Sequence, residues 1–180
     1  MAFMTKKLKS SGVISGQDID MTTASELIVF AKKNNIETSP LDVSRLTSLL
    51  GITMRLEPMK GEESGSLKQG KSGNWVMTVN SLHHPHRQRF TIAHELGHFI
   101  RHTLNRNSFT DTVFFRNEET NKMEAEANRF AAELLMPENE FSKFIEEKSN
   151  QVADIAAHFQ VSSMAVRIRA QQLGFSGHNL

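Results

Sequence analysis

The spacing of apolar residues sets the first elements of the chain. Leu27, Ile28, Phe30 and Ala31 recur at helical spacing and predict a helix over 24–33. A second, shorter helix is expected over 40–50, with Pro40 near its first turn and Gly51 just past its end. The period then changes. Ile52, Met54 and Leu56 alternate with Thr53 and Arg55 as in a half-buried strand, and 74–80 reads as a second, stronger one. Between them, 61–70 is glycine-rich and leaves room for a weak strand over 64–68. Helical spacing returns downstream. Phe90, Ile92, Ala93, Leu96, Phe99 and Ile100 share one periodic pattern, with no proline from Gln88 to His102. Residues 123–137 form an alanine-rich helix that stops near Pro137. The pattern is that of an α+β fold: helices, a small antiparallel sheet, then a helical second half. Three regions are expected: a flexible N-terminus over 1–20, a main domain over 21–137, and a helical region over 138–180.

Composition narrows the picture mainly by exclusion. The chain has 180 residues, enough for one compact domain with a core of its own. Its formal net charge is +1, so no global field draws it to nucleic acid or membrane. No cysteine is present, which removes disulfides and thiolate metal ligands. The opening Met1-Ala2-Phe3-Met4-Thr5-Lys6-Lys7 lacks an apolar stretch of signal-peptide length, and no apolar run has membrane-spanning length. A soluble, cytoplasmic protein without a membrane partner is expected.

Chemistry concentrates in His94-Glu95-Leu96-Gly97-His98. Two imidazoles four residues apart lie on one helix face and can reach the same small cation, with Zn²⁺ the expected ion. Glu95, one residue on, stands beside that cation as a general base. A further ligand must be His, Asp or Glu. Glu124, on the alanine-rich helix, is the first choice, with Glu126 as the fallback on another face of the same helix. Asn128, four residues after Glu124, is placed to hydrogen-bond a metal-binding imidazole. Gly97 and the alanines 127, 131 and 132 let the two helices approach closely. Ser64, Gly65, Ser66 and Leu67 are the candidate substrate-binding segment, because an edge strand holds an extended peptide through its main chain. No tyrosine is available to stabilise an oxyanion, which leaves a histidine of 83–86, an arginine or a backbone amide.

The strings RQRFTIAHELGHFIRH over 87–102 and EAEANRFAAELLMP over 124–137 resemble the ImmA/IrrE family of metallo-endopeptidases. The likeness extends less sharply upstream to about Thr22. It implies a zincin-like fold, a bound zinc ion, and limited proteolysis of a partner, a helix-turn-helix transcriptional repressor or antitoxin-like regulator. It also implies His94 and His98 as ligands, Glu95 as base, and the downstream glutamate as the completing ligand.

Two segments stand outside the motifs. Residues 103–121 are polar and irregular apart from Val113-Phe114-Phe115, which would shape a substrate pocket or return to the core. The tail over 152–175 holds two short helices around Phe159-Gln160-Val161-Ser162, with Ser162 as a cap and Gly174 as a stop, a helix-turn-helix-like pattern. Arg167 and Arg169 on its second helix suit phosphate or base contacts. The tail's weak positive charge favours packing or partner binding over DNA binding. A DNA-binding regulator, or one that sequesters a repressor without cutting it, is the competing function.

Overall fold

A computed structural model describes residues 21–60, 63–103 and 118–175. The flexible N-terminus expected over 1–20, and the segment with Val113, Phe114 and Phe115, lie outside the described residues. The element order is α1 (Ala24–Lys33), α2 (Val43–Leu49), β1 (Thr53–Glu57), β2 (Gly65–Gln69), β3 (Trp75–Asn80), α3 (Pro85–His98), a π-helical turn (Phe99–Thr103), α4 (Glu118–Leu135), α5 (Glu138–Glu147), α6 (Val152–Phe159) and α7 (Ser163–Gln172). None of the described helices is long and apolar enough to cross a membrane.

Local chemistry explains the helix starts. Thr23 and Glu26 form a reciprocal capping box at α1. The second helix starts later than its proline suggested. Asp42 accepts from the Arg45 amide at 2.9 Å and starts α2 at Val43, leaving Pro40 in the preceding turn. The third starts earlier, with His84 as N-cap and Pro85 in the first turn, where a missing N–H costs nothing.

The sheet has the order β1–β3–β2. Strands β2 and β3 pair antiparallel, whereas β1 runs parallel to β3. The wholly antiparallel sheet expected from the sequence is therefore mixed. Alternation reports which face a strand buries, not which way it runs. The connection after β1 crosses to the far side of β3, and buried Asn80 at the end of β3 holds it. The Asn80 side-chain amide donates to the Glu63 carbonyl at 2.9 Å, and its oxygen accepts from the amides of Met59 and Leu82.

Helix α3 lies at the centre, packed on β2, β3, α2 and, most extensively, α4. Helix α4 touches α3 at Gly97 without room for a side chain: a Cβ there would stand 3.1 Å from the Ala127 Cα and 3.2 Å from its carbonyl oxygen. One apolar cluster runs from Leu27 and Leu46 through Met77 and Leu96 to Phe130, Phe141, Ile155 and Val166, so α5–α7 share the core of the first half.

Candidate metal centre

His94 and His98 project from successive turns of α3, and Glu124 faces them from α4. The Nε2 atoms of the two imidazoles are 3.0 Å apart. Glu124 spans both, with Oε2 at 3.2 Å from His94 Nε2 and Oε1 at 3.2 Å from His98 Nε2. Among the described residues these three form the one group of His and acidic side chains able to hold a metal ion, with ligand atoms all within 4.8 Å of one another. The donor set fits a tetrahedral metal. Bonds of about 2.0–2.2 Å from Zn²⁺ to nitrogen and oxygen place neighbouring ligand atoms about 3.3–3.5 Å apart. The observed spacings fall only slightly inside that.

The electrostatics agree. Hydrogen bonds from His94 and His98 hold the Glu124 carboxyl well below the usual carboxylate range, despite opposition from burial. Burial pushes His94 down, but the Glu124 hydrogen bond and the charges of Glu95 and Glu124 outweigh it, and the net shift is upward. Asn128, one turn along α4 from Glu124, has its Oδ1 3.0 Å from His94 Nδ1. With Nδ1–H donating to that oxygen, the neutral ring would turn the lone pair of Nε2 to the cluster.

The remaining candidates divide cleanly. Glu126 turns away and pairs with Arg101 at 3.5 Å. Glu95 is buried beside the cluster rather than in it, and a Cβ on Gly65 would lie 3.4 Å from its Oε1. The loop histidines stay at the other end of α3. His84 caps the helix, accepting from the His86 amide at 3.2 Å, and His83 lies against Asn80. Ten residues separate His84 from His94, about 15 Å of helix rise, so this loop does not reach the cluster. Arg169 is 5% exposed and donates through Nε to the Met136 carbonyl at 3.0 Å, so its side chain is held inside the fold rather than offered to a phosphate. Its α7 neighbours Val166 and Ala170 are buried too, an i, i+3, i+4 face that put it inward.

Strand β2 brings Ser64–Leu67 to the same place. The Asn80 amide donates to the Ser64 carbonyl, and the Gly70 amide to the Asn74 carbonyl. In this antiparallel register the even-numbered residues of β2 bond to β3, and Gly65, Leu67 and Gln69 turn their N–H and C=O groups outward. No strand covers that edge among the described residues. The sequence reading missed the contacts that fix this edge. Arg87 donates to the Ser64 hydroxyl at 2.9 Å, and Thr91 packs under Gly65.

A helix bearing two histidines and a glutamate, a glutamate from a second helix, and a small sheet alongside define a zincin-like metallopeptidase domain. The chain belongs to the family Peptidase_M78, described as the IrrE N-terminal-like domain, whose profile matches residues 48–171. It is 33% identical over 119 residues to the metallopeptidase ImmA of Bacillus subtilis (strain 168), an alignment covering 63% of this chain and 66% of that protein. It also resembles in fold a Mycobacterium tuberculosis transcriptional regulator, with a TM-score of 0.62 at 17% identity, over 82% of this chain and 46% of the other. The chain thus spans just under two thirds of the ImmA protein and under half of the regulator.

Proposed function

We propose that this chain is a zinc-dependent endopeptidase that makes limited cuts in a partner protein, a helix-turn-helix repressor or antitoxin-like regulator. The observation that carries the reading is the convergence of His94, His98 and Glu124 on one point, with the Glu95 carboxylate beside it. Two imidazoles and a carboxylate, with no thiolate, suit zinc. Membership of a metallopeptidase family supports the activity. The partner class follows from the resemblance of the two motifs to the ImmA/IrrE family.

Zinc at this site would polarise the scissile carbonyl and make water a stronger nucleophile near neutral pH. The chain's own residues do the rest. His94 and His98 present Nε2, Glu124 presents a carboxylate oxygen, and Asn128 keeps His94 in the tautomer that leaves Nε2 unprotonated. Glu95 takes the proton of the attacking water on its carboxylate and passes it to the leaving nitrogen. The outward groups of Gly65 and Leu67 hold the substrate main chain extended beside Glu95.

The test pairs metal content with cleavage. The chain is incubated with zinc and candidate helix-turn-helix repressors, and fragments are read by mass spectrometry. Wild type should cut. Glu95→Gln should hold zinc while losing about 10²–10⁴-fold in rate. Glu124→Ala should lose the metal. Full cleavage by Glu95→Gln would sink its assignment as base, and a stoichiometric complex without fragments would establish sequestration instead.

A further inference from the structure

We propose that Gly65 is a positioning residue, whose missing side chain sets how closely the β2 edge lies on α3 beside Glu95, with the Thr91 methyl as its counterpart. The inference rests on the peptidase reading above and adds to it the contact that fixes the substrate-binding edge. Glycine opens β2 and gives the strand no side chain to pack there, so its presence needs a reason. Backbone conformation does not supply one, because Gly65 is not among the residues with positive φ. Space does. A Cβ at position 65 would lie 2.5 Å from Thr91 Cγ2, 3.0 Å from the Thr78 carbonyl oxygen and 3.4 Å from Glu95 Oε1.

Neither of the two closest neighbours yields easily. Thr91 is β-branched and buried, and its hydroxyl donates to the Arg87 carbonyl at 3.0 Å, so turning the methyl aside breaks that bond. The strand cannot simply slide either. Its entry is pinned by Arg87 on the Ser64 hydroxyl and by the Asn80 amide on the Ser64 carbonyl. A methyl at 65 therefore lifts β2 away from α3 just where its outward main-chain groups pass Glu95. A peptide on the displaced edge still makes its hydrogen bonds, but its scissile bond no longer lines up with Glu95 and the metal cluster. The turnover step suffers more than binding.

The test uses Gly65→Ala, Thr91→Ser and the pair. Serine keeps the hydroxyl and deletes the Cγ2 that collides. For Gly65→Ala, kcat per zinc-loaded site should fall about 100-fold, the scale of an ångström's misplacement, while KM and zinc affinity stay within about threefold. Adding Thr91→Ser should restore about tenfold of that loss. A second readout needs no activity: in NMR spectra of the zinc-loaded chain, Gly65→Ala should shift the amides of Ser66 and Leu67 and the Thr91 methyl, and the pair should return the amides toward wild type. Unchanged kcat and unchanged shifts in Gly65→Ala would overturn the proposal. So would a loss that Thr91→Ser does not relieve, or one matched by loss of zinc. If wild type cuts nothing, the peptidase reading fails, and the amide shifts alone decide whether Gly65 sets the spacing.

Discussion

The helix pairs α3–α4 and α6–α7 both carry charged or titratable residues on otherwise apolar helices, yet the two use them in opposite ways. In α3–α4 the polar atoms converge. Two imidazole nitrogens and both oxygens of a half-exposed carboxylate meet within 3.2 Å of one another along their closest contacts. In α6–α7 they diverge: Arg167 faces solvent, while Arg169 turns inward and satisfies the carbonyl at the end of α4. Burial lowers the Arg169 pKa, and the nearby charges of Glu133 and Glu138 oppose that. A site is marked by donors of one kind crowding a point that a third party can enter. A buried arginine closing a helix end leaves nothing for a ligand to complete.

Zinc itself separates the two helix pairs most strongly. A ligand that binds only the folded state stabilises it by about 4 kcal/mol at a free concentration a thousand times its Kd. For a chain of this size that raises Tm by about 8–16 °C. Wild type and Arg169→Met should both show the rise in a zinc titration followed by calorimetry, and Glu124→Ala should not. A full rise in Glu124→Ala would move the third ligand elsewhere on the chain. The next effect is smaller. Asn128→Ala removes the partner that fixes the His94 ring, and should weaken zinc about 10–100-fold in competition with a chromogenic chelator. Unchanged affinity would make that hydrogen bond incidental.

How much of this could be read without coordinates follows the same division. The α3 motif is local: a four-residue spacing on a helix guarantees a shared face, so His94 and His98 were legible from order alone. Glu124 and Asn128 needed only one further inference, that an alanine-faced helix packs close, and Gly97 against Ala127 shows how close. The direction of β1 was not legible, because it depends on where a loop crosses and on Asn80 holding that loop in place. Nor was the space under Gly65, which depends on a threonine from another element. Arg169 was legible only in part. Its charge drew attention, although its spacing from Val166 and Ala170 already placed it on the buried face.

The smallest effect concerns Arg169. Arg169→Met keeps an unbranched apolar stem in the same place but leaves the buried Met136 carbonyl without its donor, which should cost about 1–3 kcal/mol in denaturant unfolding. Arg167→Ala, on the exposed side of the same helix, should stay within about 0.5 kcal/mol. Were the helix a reader of DNA, both arginines would matter to binding and neither much to stability, and each would lower the salt slope of binding by about one. A scaffold predicts the reverse: a stability loss confined to Arg169, zinc affinity intact in both variants, and no salt-dependent retention of a DNA duplex by either. Equal stability of the two variants would show that the Met136 contact is dispensable and would count against a scaffold role for α7.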